Sequence, residues 1–220
     1  MTTAEMATSE APAPRKASRA SRRGQLIEAT IETIAANGLS RTTLTDVART
    51  AGLSHGLVNF HFRSKDGLLE ETLLFLAEEY FENWTRALAE AGPSPAERLD
   101  ALIRADYAPA ISTPARLKAW CAFWGEAQSR PVYQRTCGAN DLAYGTALEA
   151  ICAALAAETG QAQDPVRVAR ILRLTIEGTW LDLITMAAPY GRDEALATAH
   201  AAAAAFFPQH FDARGRIGRS

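Results

Sequence analysis

Residues 42–65 read TTLTDVARTAGLSHGLVNFHFRSK, and two short helical runs share the stretch. Leu44, Val47, Ala48 and Ala51 fall at i, i+3, i+4 and i+7, which puts them on one side of a helix. Thr43 and Asp46 have capping-box spacing, in which the hydroxyl takes a backbone N–H and the acidic side chain reaches back. Gly52 suits the left-handed conformation that ends a helix. Ser54 is an N-cap for a second helix over 55–61, with Leu53, Leu57, Val58 and Phe62 inward and His55, Gly56, Asn59 and His61 outward. Both helices fall far short of the roughly 12–15 residues that an isolated helix needs in water. They must pack on a neighbour. Residues 22–37 supply one, with Ile27, Ile31, Ile34 and Ala35 on its apolar face and Gly38 after its end.

Two short helices joined by AGLS form a helix-turn-helix, a motif whose second helix can enter the major groove of a DNA duplex. A helix that enters the major groove needs small residues for close approach and side chains that match base edges. Asn59 can pair bidentately with adenine, and Gly56 lets the backbone come near. The N-terminal end of such a helix, here Ser54 and His55, points at the bases. Lys65 and the N–H groups after Ser64 open the next helix and make a phosphate site; Thr42 and Thr43 stand in the same relation to the helix at 44. Arg22 and Arg23 add salt-sensitive phosphate attraction. The charge distribution agrees. Residues 11–70 carry nine Lys and Arg against five Asp and Glu, although the chain as a whole has a formal charge of −2. A solvated face of an ordinary bundle remains the alternative on these residues alone. No metal is expected: His55 and His61 do not have the i, i+4 spacing of a same-face pair, and no acidic or cysteine cluster accompanies them.

Residues 1–21, rich in Ala, Ser, Thr and Pro with Arg15, Lys16 and Arg19, read as a flexible basic arm. Residues 209–220, with Gly215, Gly218 and several arginines, read as a flexible tail. Between them the fold class is all-α: a head over 22–70 and a larger helical unit over 71–208. A long helix follows Ser64, with Leu69, Leu73, Leu76, Tyr80, Trp84 and Leu88 along one side, and AGPSP at 91–95 breaks it. Further helices are expected near 95–110, 114–128, 139–158, 164–188 and 192–207, punctuated by Pro114, Pro131, Pro165 and Pro189. No stretch reads as a strand. The hydrophobic content, 48%, is enough to bury a sizeable core.

Three cysteines without a CxxC pair read as reduced thiols. No apolar run approaches the roughly 18 residues of a membrane span, and the first twenty residues lack a secretory pattern. A cytoplasmic protein with no membrane partner is expected. GxGxxG, P-loop, HExxH and GxSxG motifs are absent, so neither an enzyme nor a cofactor is expected.

In the larger unit, ALEAICAALAAE (147–158) and RILRLTIEGTWLDLITM (170–186) are the candidates for a dimer interface, and the second carries apolar residues around most of the helix circumference. Such a helix needs cover on every side. A partner subunit can provide it, through Leu148, Ile151, Leu155, Ile171, Leu174 and Leu181, or the chain can bury them itself. Trp120 and Trp124 are i, i+4 with Phe123 beside them, and Tyr133 and Tyr144 lie downstream. Trp84, Tyr107 and Trp180 come from other helices, and Asp106, Glu126 and Glu177 interleave. Aromatic faces with carboxylates are what a quaternary ammonium ligand requires. Plain core is the competing reading of the same aromatics.

Residues 22–69, RRGQLIEATIETIAANGLSRTTLTDVARTAGLSHGLVNFHFRSKDGLL, resemble the DNA-binding domain of TetR-family transcriptional regulators. TTLTDVARTAGLSHG and FRSKDGLL carry the likeness. The family commonly has a phosphate-touching tyrosine where this chain has Asn59. That departure, with HFRSKDGLL, resembles the betaine-pathway repressors of the BetI group, which respond to choline. AFWGEAQSRPVY (122–133) and IEGTWLDL (176–183) are similar to segments of the same group. The resemblance implies a homodimeric repressor on palindromic operator DNA, with half-sites roughly 34–36 Å apart. It also implies release by a small-molecule effector, a choline-like cation. A TetR-type regulator of efflux or catabolic genes with an unrelated ligand, and a helical protein-interaction adaptor, are the alternatives.

Overall fold

A computed structural model describes residues 19–126, 131–160 and 162–218. The head holds α1 (Arg19–Asn37), α2 (Leu44–Ala51) and α3 (His55–His61). Most of the expected basic arm lies outside the described residues, and residues 19–21 are the first turn of α1. Thr43 caps α2: its hydroxyl oxygen accepts from Asp46 N at 3.1 Å and its hydroxyl donates to Asp46 Oδ2 at 2.6 Å. Gly52 ends α2 at φ 64°, where its N–H serves the carbonyls of Ala48 and Arg49. Ser54 caps α3 through Leu57 N at 3.3 Å. The short helices hold because Val47, Ala48, Val58 and Phe62 are buried in one core with Leu26, Ile27, Ile31 and Ile34 of α1. Full burial of a Val or Phe side chain stabilises by ~1.5–3 kcal/mol, which neither helix could recover alone.

The long helix α4 (Lys65–Glu90) opens at Ser64, whose Oγ accepts from Gly67 N at 3.1 Å. It runs unbroken through the expected boundary at residue 70. Its first turns pack on α1, and its later ones on α5 (Pro95–Asp106) and α7 (Pro131–Thr159). Between these two lies α6 (Pro114–Glu126), followed after α7 by α8 (Pro165–Thr185) and α9 (Arg192–Phe206). The prolines do more than punctuate. Pro95, Pro114, Pro131 and Pro165 each begin a helix, where the missing N–H costs nothing. That is why α7 starts eight residues before the expected 139. Ser94 and Glu97 complete a full capping box on α5.

The expected loose tail is corrected through residue 218. Phe211–Asp212 and Gly215–Arg216 pair as a two-residue antiparallel hairpin, β1 and β2, against α9 and α5. Phe207 and Phe211 are buried in the core, and the His200 ring stacks on Phe211 while its Nε2 lies 2.8 Å from Asp100 Oδ1. The two phenylalanines outweigh the glycine- and arginine-rich composition that suggested a free end. Among the described residues no helix is long and apolar enough to cross a membrane, and no cluster of His, Cys, Asp or Glu side chains could hold a metal ion.

Candidate functional site

Successive residues of an α-helix turn by about 100°. On α3 this places His55, Gly56, Asn59 and Phe60 on one solvent side, and all four are exposed. His61 is corrected from that side to the flank. It is half-buried, with its ring edge-on to Phe60 at 5.3 Å, and burial with the nearby Arg19 and Arg23 charges holds its pKa below the ordinary histidine value. Six residues from His55 is far from a whole number of turns, whereas Phe60 lies four from Gly56. Phe60 escaped the sequence reading for want of a polar group, although that spacing marked it. A Cβ at Gly56 would meet nothing within 4 Å, so packing inside the chain gives no reason for glycine there.

The expected phosphate contacts divide. Thr42 is corrected: it is buried and its hydroxyl donates to Gly38 O at 2.9 Å. Thr43 and Ser54 are exposed, with their side chains engaged as caps. Arg22 donates to Gln25 Oε1 at 2.9 Å. Arg23 is ion-paired with Glu71 and its guanidinium lies over the Phe62 ring, so it braces α1 against α4 and α3. The Lys65 ammonium donates to Ser40 O at 2.7 Å, in the turn before α2.

The second feature is a cavity of about 690 Å³ in the larger unit. Trp120 and Trp124 enter it from one face of α6, as their i, i+4 spacing dictates. Arg173, Ile176, Glu177 and Trp180 line it from one face of α8. Tyr133, Asp141, Leu142 and Tyr144 come from α7, Tyr80 from α4 and Asp106 from the last turn of α5. Trp124 and Trp180 stack at 6.2 Å with planes 6° apart, and Trp120 lies 6.2 Å from Trp124. Tyr80 sets its ring edge-on to both Trp120 and Trp180. The Trp124 indole donates to Tyr133 Oη at 2.8 Å.

Asp106 is the electrostatic centre of this cavity. It is 0% exposed, and the hydroxyls of Tyr80 and Tyr144 each donate to it at 2.6 Å, one to each oxygen. Burial pushes its pKa up to about 7; the two hydroxyls oppose the rise and the nearby Glu177 charge adds to it. Burial also raises Glu177, whose carboxylate is held by Arg173 at 2.5 Å, and Asp141. Three carboxylates face one guanidinium across aromatic walls. A cation is the charge this site lacks.

Seven expected ligand residues thus meet: Asp106, Trp120, Trp124, Tyr133, Tyr144, Glu177 and Trp180. Four do not. Trp84 is core behind Tyr144, with rings edge-on at 5.7 Å. Tyr107 is buried 2.5 Å from the Thr179 hydroxyl. Phe123 and Glu126 line a second cavity of about 320 Å³, with Asp66, Leu69 and Leu73 of α4. Tyr80, Asp141, Leu142, Ile176 and Arg173 were missed. Tyr80 alone was foreshadowed, since it shares the α4 stripe with Trp84. Of the candidate dimer residues, Leu148, Ile151 and Leu155 are corrected to the core of this chain, whereas Ile171, Leu174 and Leu181 are exposed along one side of α8.

Residues 26–72 match the family described as "Bacterial regulatory proteins, tetR family", and residues 95–208 match "BetI-type transcriptional repressor, C-terminal". The HTH-type transcriptional regulator BetI of Paraburkholderia phymatum is 35% identical over 187 residues, 85% of this chain and 93% of that one. That of Burkholderia thailandensis is 34% identical over 191 residues, 85% and 94% of the two chains. The chain belongs to the TetR family, with a BetI-type C-terminal domain. Solved structures share the fold of this BetI-type regulator. A transcriptional regulator from Pseudomonas aeruginosa PAO1 aligns with TM-score 0.72 at 26% identity, covering 88% of this chain and 93% of that one. A regulator from Saccharomonospora viridis, solved in complex with choline, aligns with TM-score 0.72 at 19% identity, covering 88% and 98%. Family members are DNA-binding transcription regulators that respond to small molecules, not enzymes.

In this BetI-type chain, α6 joins the cavity to the head. At its start Arg116, with a side chain only 14% exposed, grips both Glu79 of α4 (2.7 and 2.9 Å) and Glu28 of α1 (2.9 and 3.3 Å). Along its length it carries Trp120 and Trp124 into the cavity. At its end Glu126 accepts from the Ser40 hydroxyl at 3.1 Å, and Ser40 in turn holds Lys65. The long helix α4 also runs from the head, where it packs on α1, to the cavity, which Tyr80 lines. In the fold, α4 and α6 share the linking role.

Proposed function

We propose that this chain is a repressor that binds palindromic operator DNA as a homodimer and releases it when a choline-like quaternary ammonium ion enters the 690 Å³ cavity. The observation that carries this reading is the set of aromatic walls around Asp106, Asp141 and Glu177. Ring faces attract a methylated cation and the carboxylates add Coulomb attraction in a partly dry site. The Trp180 indole N–H is buried without an acceptor among the described residues, and a ligand hydroxyl supplies one. The likeness to BetI regulators, and to a fold neighbour that holds choline, supports the same ligand class.

The exposed side of α8, with Ile171, Leu174 and Leu181 one or two turns apart, is the proposed dimer surface. Light scattering that returns the mass of a single chain removes the dimer from this reading. The cavity falls within the ~300–1,000 Å³ of sites for drug-sized molecules and so has room for more than choline. A TetR-type regulator of efflux or catabolic genes with a larger ligand is therefore the second reading.

Calorimetry against choline, betaine and betaine aldehyde, paired with mobility shifts on the gene's own upstream DNA, tests the proposal. Choline should bind and dissolve the shifted band. Without ligand, the logarithm of affinity should fall with that of salt, with a slope of about −0.9 for each phosphate neutralised. A band that survives saturating amounts of all three compounds overturns the ligand assignment.

Arg116→Met tests the coupling route. It keeps the aliphatic stem and removes both ion pairs, so α6 can move without pulling α1. Ligand affinity should stay within about threefold, while the ligand concentration that releases half the DNA rises at least ~10-fold, within the usual range of coupling energies. Release at the wild-type concentration shows that the signal travels elsewhere.

A further inference from the structure

Phe60 is 65% exposed on the one helix of the head that reads DNA, and nothing so far gives it a role. Its neighbours on the same face are Gly56, one turn earlier, and Asn59. Glycine at 56 leaves open space where a side chain would otherwise stand. Phe60 stands four residues on, on the same side of the helix. One cation lies against it: the Arg19 guanidinium is 5.3 Å from the ring centroid. An exposed apolar ring beside a guanidinium meets the one partner that is polyanionic outside and carries apolar groups in a groove. In the major groove the only such group on an unmodified base is the C5-methyl of thymine.

We infer that Phe60 is a specificity-determining residue that reads a thymine methyl group in the major groove, beside the base contacted by Asn59. This rests on the DNA binding of the family and extends it to a residue that bears no hydrogen-bonding group. Arg19 covers the ring in the free protein. On the duplex its guanidinium is within reach of phosphate, and the methyl takes its place against the ring. Each half-site is then expected to contain a thymine that no hydrogen bond specifies.

The test uses the full chain and a duplex enriched by it from a random pool. Each thymine of the enriched site is replaced in turn by deoxyuridine, which lacks only the methyl. For the wild type, one replacement per half-site should weaken binding about fourfold, the effect of losing one buried methyl. For Phe60→Ala the same replacement should have no effect, and Phe60→Leu should retain part of it. Circular dichroism confirms folding, which an exposed position should not disturb. If no deoxyuridine weakens the wild type, or if Phe60→Ala responds to deoxyuridine as the wild type does, the inference is overturned while DNA binding stands. Failure to enrich any duplex overturns the DNA-binding reading and this inference together.

Discussion

Asp106→Asn is expected to weaken a quaternary ammonium ligand about 100-fold at pH 8 and to abolish the pH dependence of its binding. A cation about 6 Å from a carboxylate at an effective dielectric of ~20 gains ~3 kcal/mol, which is about a hundredfold in affinity. Asparagine keeps the shape but not the charge, and it cannot accept from Tyr80 and Tyr144 at once, since one side of it is a donor. The pH profile carries the sharper information. Because burial raises Asp106 to about 7, it is protonated in the free protein below that pH, and an entering cation must expel the proton. The wild-type Kd should therefore rise up to ~10-fold for each unit of pH below 7 and level off above it. Calorimetry in buffers of different ionisation enthalpy should show about one proton released at pH 6. A flat wild-type profile from pH 5.5 to 8.5 would place the ligand away from Asp106.

The same group ties stability to pH in a defined direction. The folded state binds the Asp106 proton up to about pH 7, whereas the ordinary value is 3.8. Between those values the folded protein holds more protons than the unfolded one, so unfolding free energy falls as pH rises through the window. The contribution is on the order of a few kcal/mol across it. Denaturant unfolding of wild type and Asp106→Asn at pH 5 and pH 8 should show a smaller decline for the variant.

Trp124→Ala should weaken the same ligand about 30-fold and leave DNA affinity in its absence within about threefold. Loss of a desolvated cation–π face removes ~2 kcal/mol, and the variant also frees Trp180 from its stack and Tyr133 from its indole partner. Trp124→Phe keeps a ring face and drops the N–H donor, so it should lose only about fivefold. The pair separates a cage from a core. If both variants fold, bind DNA and hold ligand as tightly as the wild type, the aromatic residues of α6 are packing alone. Trp124 is half-buried, unlike Trp84, so truncation should not unfold the chain.

Much of the head was legible because its determinants are local. Thr43 with Asp46, Gly52 and Ser54 act on backbone groups at most four residues away, so spacing alone names them. Local reading failed where a side chain had to choose between surface and interior. Thr42 and Thr43 are adjacent and chemically identical, yet one is buried against Gly38 and the other caps α2. His61 was read as facing outward with His55, Gly56 and Asn59, and in the fold it is half-buried at the flank while Phe60 takes the exposed place.

In the larger unit the chain order revealed which residues could serve and not which would meet. Tyr80 and Trp84 stand one turn apart on the same stripe of α4, but Tyr80 opens into the cavity and Trp84 closes the core behind Tyr144. The stripes 148, 151, 155 and 171, 174, 181 are equally apolar, and only the second is left uncovered by the chain. Caps, turns and amphipathic stripes follow from periodicity, which a linear string of residues contains. The cavity does not, because five helices contribute to it. Their mutual rotations are set by how distant side chains interlock, and no spacing along the chain records that.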